Sequence, residues 1–233
     1  MEPLWLNRSK GNRTPVRKLA PPTDITGGVS LFYASLRLVI PCSTQNDPML
    51  ILLPPSEGKN QTPQGPAPAI WVYSGVLYKA LDYPTLSPSA KARCEKSVVI
   101  ISAKYGALSP SDRIEFYKEK INSAAMRPIV EKKLASYKQD LIVDCRSSTY
   151  QAVWSAPADI TVAIRASTVV DGERKVITHM SKKTRGEVTR ALLVSRSIPK
   201  TVEDIYAIIS EKFPCALTPP QDGDPWVLEV IAV

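Results

Sequence analysis

The chain has 233 residues, of which 44% are hydrophobic, and a formal net charge of +8. This length provides for a sizeable buried core, and the charge favours a polyanionic partner or an anionic substrate. The four cysteines are far apart and show no CxxC spacing, which argues against a zinc knuckle and a dense disulfide framework and favours a reducing cytoplasm.

The first 48 residues differ in composition from the rest of the chain. They are rich in Pro, Thr, Asn, Ser and Arg without a sustained hydrophobic period, which is typical of a segment that cannot fold alone. Two interpretations stay open: a disordered basic tail that helps to hold nucleic acid, or an extension that is not native to the protein. We expect residues 49–233 to form a single compact domain.

The sequence contains no obvious membrane segment. No stretch reaches the roughly 20 apolar residues that a membrane helix needs. The apolar run Val29–Ile40 is short and contains Arg37. We therefore expect a cytoplasmic protein without a membrane partner.

Three short apolar runs organise the first half of the expected domain. Met49–Leu53, Val98–Ile101 and Leu141–Asp144 are each bounded by turn residues and predict buried strands. Helical or turn segments are predicted between them at 71–86, 88–96, 114–121 and 126–137. The alternation of strands and helices indicates parallel strand pairing.

The second half begins with a predicted hairpin. Segments 160–170 and 174–178 are joined through Asp171-Gly172, a strong hairpin signal. A closing strand is predicted at 226–233. The whole therefore predicts an α/β fold of mixed α+β character, a mixed sheet with flanking helices.

Two helices are predicted between the hairpin and the closing strand. Ser181 is a plausible N-cap for a helix from Lys182 to about Ser195. Thr201 and Asp204 have the spacing of a capping box for a second helix, which ends near Phe213. The two helices and their tight connection could form a helix-hairpin-helix.

Function is expected in the loops that follow the three predicted strands, because ligands bind beyond the carboxyl ends of strands in open α/β sheets. The first loop offers Ser56, Glu57 and Lys59, but it lacks the glycine spacing of a Walker loop. These residues could supply a nucleophile or donor, a general base and an anion clamp. For this loop alone, a solvated turn is the simpler explanation.

The second and third loops add Ser102, Tyr105 and Tyr117, and then Arg146 and Tyr150. A purely structural role explains less well why hydroxyls and cations gather at these strand ends. We expect an anionic group to be held by a lysine and an arginine, with a carboxylate or a phenol handling protons.

Three neighbours of these loops have structural interpretations. Gly106 permits a positive φ after the second strand, and Asp112 is well placed to cap a helix that carries Tyr117. Cys145 lies beside Arg146, where a thiolate could be stabilised, but a half-buried cysteine at a strand end is the preferred interpretation.

A cluster of cations opens the first of the two late helices. Lys182, Lys183 and Arg185 could bind an anion together with the helix N-terminus, and Arg190 continues the series. A solvated basic surface explains them equally well. His179 is the single histidine of the chain, so neither a histidine-based metal site nor a cofactor is predicted.

Together these motifs resemble the YaaA family of peroxide stress proteins. The resemblance covers Met49 to about Phe213. It rests on four ordered blocks and an additional glycine, valine and tyrosine segment, namely Leu53–Lys59, Ser102–Asp112 with Tyr117, Arg146–Tyr150 with Trp154, Ser181–Gly186, and Gly75–Leu81. Ser109 and Lys118 stand where the family commonly has arginine, and each replaces a planar bidentate donor.

The resemblance implies a compact mixed α/β fold with a basic cleft and a cytoplasmic protein that limits damage from hydrogen peroxide, with an effect on unincorporated iron. It also implies DNA binding, for which residues 182–213 would supply a helix-hairpin-helix. Whether the protein is also an enzyme stays open. The alternative function is an enzyme acting on a small anionic nucleobase-like or nucleotide-like substrate at the strand ends, and direct iron binding is the least favoured.

Overall fold

A computed structural model describes residues 49–170, 173–175 and 177–232. The predicted N-terminal extension, residues 1–48, and the predicted turn residues 171 and 172 lie outside the described residues. None of the helices within these ranges is both long enough and apolar enough to cross a membrane.

The described residues form a mixed α/β structure. The strands are β1 (Met49–Leu53), β2 (Ala67–Pro68), β3 (Val98–Ser102), β4 (Gly106–Leu108), β5 (Arg113–Ile114), β6 (Leu141–Asp144), β7 (Thr161–Val170), β8 (Glu173–Lys175), β9 (Cys215–Thr218) and β10 (Trp226–Ala232). The helices are α1 (Ala69–Val72), α2 (Val76–Leu81), α3 (Pro88–Ser97), α4 (Ser123–Leu134), α5 (Ser148–Gln151), α6 (Thr178–Val194) and α7 (Val202–Ser210), with 3-10 turns at Tyr83–Thr85 and Ala158–Ile160.

The main sheet has a parallel centre and antiparallel additions. Strands β3, β1, β6, β7 and β10 lie side by side in that order and run parallel. Strands β4, β8 and β9 pair antiparallel with β3, β7 and β10. The chain first adds a strand on one side of β1 and then on the other, so the strand order reverses between β1 and β6. Ligands bind in the crevice at such a reversal in doubly wound sheets.

Helices cover both faces of this sheet, which confirms the predicted fold class. All five residues of β1 are buried. Alternate side chains point to opposite faces, so Ile51 packs in the core that includes α2, α3 and α6, whereas Leu52 packs in the core that includes α4. A continuous apolar run is typical of a parallel strand that is covered on both sides.

Helix α6 packs closely on α2, and three contacts fix its position. A Cβ atom on Gly186 would lie 2.1 Å from the carbonyl oxygen of Leu77, so only glycine permits this approach. The Arg190 guanidinium donates to the carbonyl of Leu81, at the end of α2, at 2.8 Å. The Arg93 guanidinium donates in turn to the carbonyl of Leu193, at the end of α6, at 3.0 Å. Cations at these positions also interact favourably with the helix dipoles.

The late elements agree with the sequence predictions except at one helix start and at β9, a strand that was not predicted. The predicted hairpin pairing is present between β7 and β8, and the capping box of Thr201 and Asp204 opens α7 as predicted. The predicted N-cap Ser181 is wrong, because α6 begins at Thr178. The Ser181 N–H donates to the Ile177 carbonyl at 2.8 Å, so the serine lies within the first turns of the helix and not before it.

The helix predicted at 114–121 is wrong. Ile114 ends β5, and the backbone N–H groups of Glu115 and Phe116 donate to the hydroxyls of Tyr105 and Thr62. The segment instead continues from β5, where Ile114 pairs with Ala67 of β2, and it has no regular structure as far as Asn122. Asp112 therefore caps no helix here, and its carboxylate accepts from the Ser109 N–H at 2.8 Å.

Candidate functional site

Tyrosines, a serine and a lysine meet beyond the carboxyl ends of β1, β3 and β6. We call the group the strand-end cluster; its members are Lys59, Tyr73, Ser102, Tyr105, Tyr117 and Tyr150. Five of them were predicted from the sequence. Tyr73 was missed because it is brought in by an isolated β-bridge to Lys59, for which the sequence carries no local signal.

Three buried hydroxyls of the cluster form a chain. The Tyr117 hydroxyl lies 2.9 Å from the Ser102 hydroxyl and 2.8 Å from the Tyr73 hydroxyl. The Ser102 hydroxyl also accepts from the backbone N–H groups of Lys104 and Tyr105. Ser102, Tyr73 and Tyr117 are each at least 96% buried, at exposed fractions of 0%, 2% and 4%. Burial raises the pKa of Tyr73, so its phenol stays protonated at neutral pH.

Lys59 covers the outer side of this chain. Its ammonium lies 4.2 Å from the ring centre of Tyr117 and 5.9 Å from that of Tyr73, within cation–π distance. Burial lowers the pKa of Lys59, and the carboxylates of Glu119 and Glu57 act in the opposite direction. The ammonium is therefore partly desolvated while it faces two aromatic rings.

Tyr105 and Tyr150 complete the walls of the cluster. The rings of Tyr105 and Tyr117 meet edge to face, with centroids 5.6 Å apart. Burial, followed by the negative charges that Tyr117 and Glu57 can carry, raises the pKa of Tyr150 to about 12. The Tyr150 phenol is thus a hydrogen-bond donor at neutral pH.

Ser56 and Glu57, the other residues predicted in the first loop, lie at the edge of the cluster. The Ser56 hydroxyl donates to the Gly58 carbonyl and accepts from the Gly75 N–H at 3.2 Å. These bonds order the turn after β1. Glu57 is exposed and acts on Lys59 through its charge.

A second concave feature, which we call the basic cleft, lies between the end of β6 and the first half of α6. It has a volume of about 770 Å³. Four cations line it, namely Arg146, Arg165, Lys182 and Arg185, together with the carboxylates of Asp144 and Asp224. Cations therefore outnumber carboxylates two to one on its charged walls, and the cleft suits an anionic ligand.

Arg146 connects the two features. It is 1% exposed and bonds Asp144 through two parallel contacts, Nε to Oδ1 at 2.9 Å and Nη2 to Oδ2 at 2.8 Å. A third donor, Nη1, reaches the backbone carbonyl of Tyr150 at 3.2 Å. Arg146 was predicted to hold an anionic group, but Asp144 balances most of its charge.

The cations predicted on α6 lie on two sides of the helix. Lys182 and Arg185 line the basic cleft. Lys183 pairs with Glu187 at 3.4 Å on a partly exposed side, and Arg190 contacts the end of α2. The fold therefore directs two of the four cations to the cleft.

Cys145 follows β6 and is fully buried. Burial raises the pKa of its thiol to about 12, and the Thr189 hydroxyl contacts its sulfur at 3.8 Å. A thiol in this setting behaves as a small apolar side chain. Across the described ranges, no three His, Cys, Asp or Glu side chains are grouped so that they could hold a metal ion.

The comparisons with known proteins decide the family. A family model described as peroxide stress protein YaaA matches residues 57–216. The chain belongs to the YaaA family. This confirms the resemblance drawn from the sequence motifs, and all six members of the strand-end cluster lie within the matched residues.

Curated relatives of this YaaA-family chain carry the name UPF0246 protein. A relative from Streptomyces coelicolor is 29% identical over 180 residues, which cover 72% of this chain and 69% of the relative. One from Corynebacterium glutamicum is 33% identical over 172 residues, or 67% of each chain. One from Corynebacterium efficiens is 36% identical over 155 residues, or 60% of each chain.

Proposed function

We propose that this peroxide stress protein binds DNA in the cytoplasm through its basic cleft and thereby limits iron-dependent damage. The observation that supports this most is the placement of Lys182 and Arg185 on the first half of α6, where both line the cleft with Arg146 and Arg165. Lys183 lies on a different side of the same helix, where it pairs with Glu187, so the proposal does not depend on it.

The proposed contacts are made to phosphates. Lysine and arginine side chains bind phosphates without reading bases, so the affinity is expected to depend strongly on salt and weakly on sequence. The arginine forks give directional contacts to phosphate oxygens, whereas Lys182 acts as a point charge.

Fluorescence anisotropy of a labelled gapped duplex tests this function on the full chain. Arg185→Met should weaken binding by about tenfold, because one charge-assisted contact is lost. Lys91→Met is the matched control, since this lysine lies on α3 and donates to the Pro84 carbonyl away from the cleft. Equal affinity of the wild-type protein and Arg185→Met would contradict the proposal.

A second candidate function is an enzyme that acts on a small anionic substrate, such as a nucleobase or nucleotide, at the strand-end cluster. The observation that favours it is the hydroxyl chain of Ser102, Tyr117 and Tyr73 beside Lys59, which a DNA-binding surface does not require. Complementation of a peroxide-sensitive deletion strain tests it. Tyr105→Phe and Lys59→Met should fail to complement, and full complementation by both would contradict an enzymatic role.

A further inference from the structure

The hydroxyl chain of the strand-end cluster has one hydrogen-bond donor too many. The Ser102 hydroxyl accepts two backbone N–H groups, which occupy both of its lone pairs. Its own proton must therefore go to a phenol oxygen, either that of Tyr117 at 2.9 Å or that of Tyr73, with which Ser102 also interacts. Tyr117 and Tyr73 share a single further contact, at 2.8 Å, which uses one of their two protons.

One phenolic proton is consequently left over, whichever way the Tyr73–Tyr117 contact is oriented. If Tyr117 donates to Tyr73, the Tyr73 proton has no acceptor among the described residues. If Tyr73 donates to Tyr117, the Tyr117 proton has none. Both tyrosines are at least 96% buried, at 2% and 4% exposed, where an unmet hydrogen bond is costly.

The Lys59 ammonium is a second donor group without an anionic partner among the described residues, next to the phenol whose proton is left over. Its ammonium faces the rings of Tyr117 and Tyr73 and makes no ion pair with any described carboxylate. Its partial burial disfavours the unpaired charge. An ammonium and a phenolic proton thus lie on neighbouring residues of the cluster, and neither has an acceptor among the described residues.

The position in the fold is also that of a ligand site. Lys59 follows β1, and Tyr150 follows β6, the two strands between which the strand order reverses. The crevice at such a reversal is the usual place for a ligand in an open α/β sheet.

We propose that the strand-end cluster binds the carboxylate or phosphate group of a small molecule, with Lys59 as its charge partner and the Ser102–Tyr117–Tyr73 chain as its hydrogen-bond donor. This inference rests on the second candidate function and names the chemical class of its ligand. The anion supplies the acceptors that the cluster lacks. It is bound at a different place from the DNA phosphates, which are held in the basic cleft.

The test uses the full-length protein with inorganic phosphate and, separately, acetate as probes. Each anion is titrated at constant ionic strength against chloride, and binding is measured by calorimetry and by the rise in melting temperature. The two probes distinguish a phosphate ligand from a carboxylate ligand. The variants are Lys59→Met and Tyr117→Phe, and Lys91→Met is the control, because Lys91 also lies over a tyrosine ring but already donates to a carbonyl.

The wild-type protein should bind at least one probe saturably. Lys59→Met and Tyr117→Phe should each weaken that binding about tenfold or more, and Lys91→Met should not change it. If Tyr117→Phe fails to fold, Lys59→Met alone still decides. Absence of saturable binding of both probes, or an equal loss in Lys91→Met, would overturn the inference.

The result of the anion-binding test can be distinguished from the results that test the enzymatic and DNA-binding functions. A Lys59→Met protein that loses phosphate binding but complements the peroxide-sensitive strain would uphold the site and contradict the enzymatic role. Arg185→Met should bind DNA about tenfold more weakly and keep its phosphate binding at the cluster, because Arg185 lies in the basic cleft and outside the cluster.

Discussion

Arg190 on α6 holds the end of α2 by donating to the Leu81 carbonyl at 2.8 Å, and the same nitrogen reaches the Asp82 carbonyl at 2.9 Å. The second guanidinium nitrogen donates to the Thr85 hydroxyl. The position of this arginine in the cationic sequence 182–190 predicts that it binds phosphate, whereas its contacts indicate that it joins two helices.

Replacing Arg190 should therefore affect stability more than DNA affinity. Arg190→Met removes charged donors from three acceptors and should lower the free energy of unfolding by about 1–3 kcal/mol, as measured by urea denaturation. The affinity for gapped DNA should stay within about twofold of wild type. A large loss of DNA affinity with unchanged stability would contradict this prediction and indicate that Arg190 binds a DNA phosphate.

Gly186→Ala should destabilise the protein although alanine is the better helix former by about 1 kcal/mol. The new Cβ would lie 2.1 Å from the Leu77 carbonyl oxygen and 2.9 Å from the Ala80 Cβ, so α6 would have to move away from α2. We expect a loss of about 2 kcal/mol or more in thermal or chemical denaturation. Gly58→Ala is the control, because its nearest new contact is 3.5 Å. Stabilisation by Gly186→Ala would show that the close helix contact is absent.

Much of the fold follows from local patterns. The apolar runs at 49–53, 98–101 and 141–144 predict buried strands because a strand covered on both faces needs no polar alternation. For the segment 114–121, the local pattern predicts a helix that the structure does not contain. Its spacing resembles a helix, but Ile114 at its start pairs with Ala67 of β2, which lies far away in the chain.

Part of the candidate site could likewise be predicted from the sequence, and part could not. Ser102, Tyr117 and Tyr150 follow strands or lie near strand ends, so the rule about carboxyl ends places them together before the fold is known. Tyr73 joins them only through pairing with Lys59, and the cations of α6 point to different sides according to which neighbours the fold gives them. Such long-range contacts leave no pattern in the local sequence.

Asp144→Asn should be one of the most destabilising polar substitutions. It leaves the Arg146 guanidinium, which is 1% exposed, without its carboxylate partner. Removing one member of a buried ion pair costs about 3–5 kcal/mol, and chemical denaturation measures this loss. The double variant Asp144→Asn/Arg146→Met should recover part of the stability. Additive losses in the double variant would show that the two side chains are not coupled.

Cys145 should resist both alkylation and peroxide in the folded protein. With a thiol pKa of about 12, about one molecule in ten thousand carries the thiolate at pH 8, and the side chain is fully buried. Mass spectrometry after brief iodoacetamide treatment should find Cys145 unmodified, and modified only after unfolding in denaturant. Rapid labelling of the folded protein would indicate that the thiol is accessible.

The most direct test of the proposed function is the salt dependence of DNA binding by the full chain and by Lys182→Met/Arg185→Met. Each phosphate contact to duplex DNA contributes about −0.9 to the slope of log affinity against log salt concentration. If both side chains bind phosphates, the double variant should bind more weakly and its slope should be shallower by about 1.8. An unchanged slope would show that the basic cleft is not the DNA site.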